Sequence, residues 1–169
     1  MTRTVHLMRH AKSDWNTGLP DHDRPLNKRG RRAAGNIQKL ISDQEMYVDL
    51  ILCSSAMRTR ETMEGIIGGF PEVPEVSIED GLYGASAGEL LTRLQAVEER
   101  IATVMVIAHQ PGIQTLALSL AGGGLEYPKL EAGFPTAALA TIDFDSDWAD
   151  LAPGAGSLRS YVLPRELQA

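Results

Sequence analysis

The chain has 169 residues, 43% hydrophobic and 22% charged, which is enough for one domain with a real core and ordinary for a soluble globular protein. With 16 basic and 22 acidic side chains the formal net charge is −6, which argues against a nucleic-acid footprint but leaves room for a small basic pocket. A single cysteine, Cys53, rules out an internal disulfide and makes the cytoplasm the default compartment; no signal peptide is expected, and no apolar run is long enough to span a membrane.

Residues 3–9, RTVHLMR, form a strand pattern. Residues 17–25, TGLPDHDRP, carry Gly and two Pro and predict a loop. From Leu26 onward Ala33, Ala34, Ile37, Leu40 and Ile41 take on helical spacing, with Asn27 as a candidate cap. Residues 48–53 are a strand and 56–67 a helix with Met57, Met63, Ile66 and Ile67 on its apolar side. A short strand and loop follow in VSIEDGLYGA. Leu90, Leu91, Leu94, Val97 and Ile101 predict an amphipathic helix over 87–101. Residues 103–108 are a continuous apolar strand, 112–121 a helix after Pro111, and a Gly-rich loop leads into AALATIDFD and SLRSYVLP as final strands.

Strands alternate with helices, and the best strands are apolar on both faces. The expected fold is a single three-layer α/β/α domain over residues 1–169 with a mostly parallel central sheet. In such folds ligands bind beyond the carboxyl ends of the strands. Arg9 and His10 follow the first strand. Ser54, Ser55 and, one turn into the helix, Arg58 follow the second, and His109 and Gln110 follow VMVIA. Taken singly, Arg58 is an ordinary solvated residue and His109 an ordinary strand-end histidine. Together, two guanidiniums and two imidazoles at three strand ends suit a multiply charged oxyanion, such as phosphate or sulfate. His6 and His22 lack such context. A metal is disfavoured beside Arg9 and without ligand spacing, so no metal and no cofactor are expected.

The segment LMRHAKSDWN resembles the Arg-His-Gly signature of the histidine phosphatase superfamily, which includes the cofactor-dependent phosphoglycerate mutases. SSAMRTRET is similar to its second-arginine segment, and VIAHQPGI to its second-histidine segment. DRPLNKRGRRAA looks like the SixA-type phosphohistidine phosphatases, a short branch without a large inserted helical domain. The resemblance runs from about residue 4 to residue 120 and implies a phosphoglycerate mutase-like fold. It implies that His10 is the nucleophile that carries the phosphoryl group, and that Arg9, Arg58 and His109 surround the transferring oxygens. It further suggests substrate contacts from Asn16 and Ser13, and Gln110, beside His109 at the same strand end, is a third candidate substrate-binding residue. Lys12 stands where the family usually has an acid and is expected at the pocket rim.

The superfamily's proton-donating acid has no counterpart. Two positions after Leu82 stands Gly84, while Asp80 is nearby but displaced and is the one candidate donor. An alkoxide leaving group needs a proton; the imidazole of phosphohistidine, with a pKa near ~6.5, needs far less help. The first expectation is therefore a phosphatase acting on phosphohistidine in a protein. The alternatives are a phosphatase for small phosphoesters or nucleotides, with Asp80 or water supplying the proton, and a weakly active phosphoprotein-binding module. Neither nucleic acid nor membrane is an expected partner.

Overall fold

The computed structural model describes residues 1–167. Six strands form one sheet: β1 (Arg3–Arg9), β2 (Leu50–Ser54), β3 (Glu75–Glu79), β4 (Thr103–Ala108), β5 (Leu139–Phe144) and β6 (Ser157–Val162). Five α-helices connect or flank them: α1 (Lys28–Asp43), α2 (Met57–Ile66), α3 (Ala87–Gln95), α4 (Gly112–Ala121) and α5 (Tyr127–Ala132). The strand order is β3-β2-β4-β1-β5-β6. The pairings β2–β3, β2–β4 and β1–β4 are parallel, whereas β5 and β6 add antiparallel to the β1 side. The sheet is therefore mostly parallel, as its apolar strands predict.

Alternation along the strands sorts the core into two layers. Val5, Leu7, Leu52, Val104 and Val106 pack against α3, α4 and α5. Met8, Ile51, Cys53, Met105 and Ile107 turn to the other face and meet α1 and α2. Ile37 and Ile41 of α1, four residues apart on one helical face, are fully buried there, each worth roughly 1.5–3 kcal/mol. The Asn27 cap is present: its side-chain oxygen accepts from the Gly30 N–H at 2.8 Å. A Cβ at Gly30 would overlap the carbonyl oxygen of Lys12, so glycine lets α1 lie directly against the loop that leaves β1. Among the described residues, no helix is long and apolar enough to cross a membrane.

Two elements differ from their predicted form. The helix expected over 87–101 ends at Gln95. Val97 and Ile101 still reach the core, but from a turn, because the Ile101 N–H bonds to Glu98 and the Glu99 carbonyl accepts from Arg3 at 3.2 Å. These bonds take up backbone groups that a continuing helix would have used itself. The Gly-rich stretch before β5 contains the short helix α5, anchored by buried Leu130. Six residues with a proline in the first turn are too few to show helical periodicity in sequence.

Candidate active site

Parallel pairing brings three strand ends together. Arg9 of β1 stands opposite Ala108 of β4, so His10 and His109, the next residues on each strand, become neighbours. Their ring centroids are 5.2 Å apart. On the other side of β4, β2 delivers Ser54, whose Oγ lies 2.7 Å from His109 Nε2. The first turn of α2 adds Arg58. Arg9, His10, Ser13, Arg58, His109 and Gln110 line one cavity of about 320 Å³, together with Lys12, Trp15, Asp21, Arg24 and Thr136.

His10 is buried, and its Nδ1 lies 2.7 Å from the carbonyl oxygen of Ala11. A carbonyl only accepts, so Nδ1 carries the proton and Nε2 keeps its lone pair. The pKa of His10 is lowered to about 3, first by burial and then by the nearby charges of His109, Arg58 and Arg9, against a raising influence from the Ala11 carbonyl. The neutral imidazole expected from adjacent cations is thus present, but desolvation is its main cause. His109 is lowered to about 4, again mainly by burial. The loop behind His10 is fastened to α2: the Ala11 N–H donates to Thr62 Oγ1 at 2.9 Å, and the Thr62 hydroxyl donates to the Arg58 carbonyl at 2.7 Å.

Asp21 organises the cationic side. It accepts from Arg58 Nη2 at 3.1 Å, from Arg24 at 3.1 Å and from the Tyr83 hydroxyl at 2.5 Å, while its carbonyl takes Arg58 Nη1 at 2.8 Å. These bonds, with that from Tyr83 the largest influence, hold its carboxyl at about 2. Arg9 Nη1 donates to the Phe134 carbonyl at 3.0 Å. Among the described residues, buried side-chain nitrogens without a partner include Arg9 Nε, Arg58 Nε and His109 Nδ1; the other is Arg3 Nε, far from this cavity. Buried donors are normally satisfied. Three orphans in one pocket with two guanidiniums suit an oxyanion that brings its own acceptors.

The remaining sequence expectations divide. Ser13 lines the cavity, but its Oγ accepts from Arg24 Nη1 at 2.6 Å. Gln110 lines it too, with its amide engaged by Gln114. Asn16 does not line the cavity: it is exposed, and the structure places its backbone N–H on Asp14 instead. Asp80 is exposed in a turn after β3 and is likewise outside the lining. His22, given no role from sequence, borders the site: its Nε2 is 2.9 Å from Ser55 Oγ, and its ring meets Tyr83 edge-on at 4.8 Å. Asp21, Arg24, Tyr83 and Thr62 were also missed. The Asp21–Arg24 spacing is local, but nothing in it reveals that Asp21 also closes over Arg58.

Residues 5–103 match the histidine phosphatase superfamily (branch 1). The chain belongs to this superfamily. An uncharacterized Mycobacterium tuberculosis protein is 35% identical over 164 residues, covering 94% of this chain and all of the relative. Two solved structures are similar throughout. One, from Nakamurella multipartitia and designated a phosphohistidine phosphatase SixA, has TM-score 0.86 and 30% identity over 97% of each chain. Another protein so designated, from Agrobacterium tumefaciens, has TM-score 0.83 and 31% identity over 96% of this chain and 98% of its own. Within the superfamily, the resemblance is to the SixA type, and the fold is phosphoglycerate mutase-like.

Proposed function

We propose that this superfamily member is a phosphohistidine phosphatase that acts on a phosphorylated protein, with His10 as nucleophile. One observation carries the reading: the cavity holds a neutral His10 with Nε2 unprotonated, while Asp21, the only carboxylate among the described residues of the lining, is ionised and bound to two arginines and a tyrosine. A nucleophile is ready, and no carboxylic acid is poised to give a proton to a leaving alkoxide. SixA-type relatives point the same way.

In the proposed reaction, His10 Nε2 attacks phosphorus in line and the P–N bond to the substrate breaks. The substrate ring, protonated by solvent on its other nitrogen, leaves as neutral imidazole, because that nitrogen titrates near ~6.5. Arg9, Arg58 and His109 bind the three equatorial oxygens as charge shifts among them. Water then attacks the phosphohistidine on His10 and releases orthophosphate. Ser13 and Gln110 orient the arginine side and the rim of the pocket.

The test is to trap the intermediate and rank substrates. Acid-labile phosphoryl label should appear on His10 and be lost in His10→Ala. A phosphohistidine protein should outrun sugar phosphates in kcat/KM, with activity surviving exhaustive EDTA treatment. Label on another residue, or activity restored only by added metal, overturns the mechanism; a lead for sugar phosphates overturns the substrate class.

A further inference from the structure

A second cleft opens beside the His10 cavity and shares Lys12 and Thr136 with it. Its volume is about 250 Å³. Arg29, Arg32 and Arg165 line it together with Lys12, over an apolar floor that includes Ala33 and Leu163. Among the described residues, no carboxylate lines it. We propose that this cleft docks an acidic segment of the phosphorylated protein, placing carboxylates on Arg29 and Arg32 while the phosphoryl group enters the His10 cavity. The inference rests on the reading of the substrate as a phosphoprotein.

Three observations support it. First, most cations elsewhere are neutralised within the chain: Arg3, Arg93, Arg100, Lys129 and Arg159 each hold a carboxylate, while the exposed Lys39 and Arg60 stand singly. Among the described residues, Lys12, Arg29 and Arg32 make no ion pair. Second, Lys28, Arg29, Arg31 and Arg32 crowd the start of α1, with no acidic residue in its first turn. That end of a helix favours anions, so the sequence works against local stability there. The Asn27 cap offsets part of that cost, and a cationic cluster kept at such a helix end fits a surface retained for binding. Third, the chain carries a net charge of −6, so this basic patch is a concentration and not a reflection of overall composition.

The chemistry of the cleft selects the partner. Arg29 and Arg32 are exposed, and their guanidiniums project from a half-apolar surface. A compact phosphate site is built differently, with buried donors converging as they do around His10. Spaced charges over an apolar floor fit an extended segment whose carboxylates alternate with carbon stems.

Two phosphohistidine peptides, identical except for Glu or Gln flanking the phosphorylated residue, test the assignment. An exposed ion pair shifts an equilibrium by up to about fivefold, so two give wild-type protein a preference of up to about 25-fold for the Glu peptide at low salt. The preference should appear in KM and fade with added salt. It should fall to near unity in Arg29→Gln/Arg32→Gln, with the Gln peptide as the internal reference for a folded, active site. An equal preference in wild type and variant overturns the proposal. A fluorescent, unphosphorylated Glu-rich peptide supplies an arm independent of turnover. Binding to wild type and loss in the double variant supports the cleft even if neither phosphopeptide is hydrolysed, in which case the phosphohistidine reading alone falls. Equal binding to both proteins overturns the cleft. Equally tight binding of a single-stranded oligonucleotide of the same charge overturns its assignment to a protein partner.

Discussion

Ala11 presents its carbonyl oxygen to Nδ1 of His10, the residue before it, at 2.7 Å. The chain thus sets the tautomer of its own candidate nucleophile with a backbone group that cannot titrate. Burial then keeps the ring neutral by penalising the imidazolium. In histidine-labelled protein, NMR should report His10 as the Nδ1–H tautomer with no titration between pH 5 and 8. A midpoint near the ordinary ~6.5 would show that the ring is neither desolvated nor held.

The same burial makes stability depend on pH. His6 and His109 are lowered to about 4 and His10 to about 3. Above ~6.5 neither the folded nor the unfolded chain protonates these rings. Below it the unfolded chain binds protons that the folded chain refuses, so stability falls as pH drops from 6.5 toward 4 and 3. Each ring contributes up to about 1.4 kcal/mol per pH unit in that window. Urea midpoints should therefore fall between pH 7.5 and pH 5, and less steeply in His10→Asn. A flat profile across that range contradicts the buried neutral state.

Thr62 ties the His10 loop to the helix that carries Arg58. Valine has nearly the same shape but cannot accept from the Ala11 N–H. Thr62→Val should leave that buried donor unsatisfied and cost about 1–3 kcal/mol. It should also lower kcat more than it raises KM, because the Ala11 peptide that aims His10 is released. Unchanged unfolding midpoints and unchanged kcat would show that the loop is held by other contacts.

The Asp21 carboxylate competes with a bound oxyanion for Arg58 and Arg24. Asp21→Asn keeps an acceptor there and removes the charge. Inhibition by orthophosphate should tighten, since one like charge beside the anion is gone. Arg58→Ala should instead cost about 10²–10³ in kcat, as expected for a lost donor to the transition state. Weaker phosphate inhibition in Asp21→Asn would mean that positioning Arg58 outweighs the repulsion.

How far these residues were legible follows from where they stand. Arg9, His10 and His109 stand at the ends of apolar runs and Arg58 one turn into the helix after another, so their convergence needed only a parallel sheet. Asp21, Arg24, Tyr83 and His22 belong to loops whose closure over the site depends on folding; Asp21 and Arg58 are 37 residues apart. Asn16 and Asp80 lie outside the cavity lining for the converse reason. Each is close in sequence to a site residue, yet the turn geometry leaves both in solvent. The end of α3 was hidden because Val97 and Ile101 keep helical spacing while the backbone between them turns.

Among the described residues lining the cavity there is no protonated carboxylic acid, and this yields the most discriminating prediction. Asp21 holds its carboxyl at about 2, so it is ionised at neutral pH. Tyr83 donates to that carboxylate and is pushed above its ordinary value by it. Asp80 lies outside the lining. General acid help is typically worth about 10²–10⁴-fold, and a site without it should lose that much on esters of simple alcohols. Esters with good leaving groups, such as p-nitrophenyl phosphate, should lose little, and so should phosphohistidine. Across a series of aryl and alkyl phosphates, kcat/KM should therefore fall steeply as the pKa of the leaving alcohol rises. Asp80→Asn should leave that slope unchanged. A shallow slope in wild type that becomes steep in Asp80→Asn would identify Asp80 as an acid that reaches the site during turnover, and would move the enzyme to the phosphoester phosphatases.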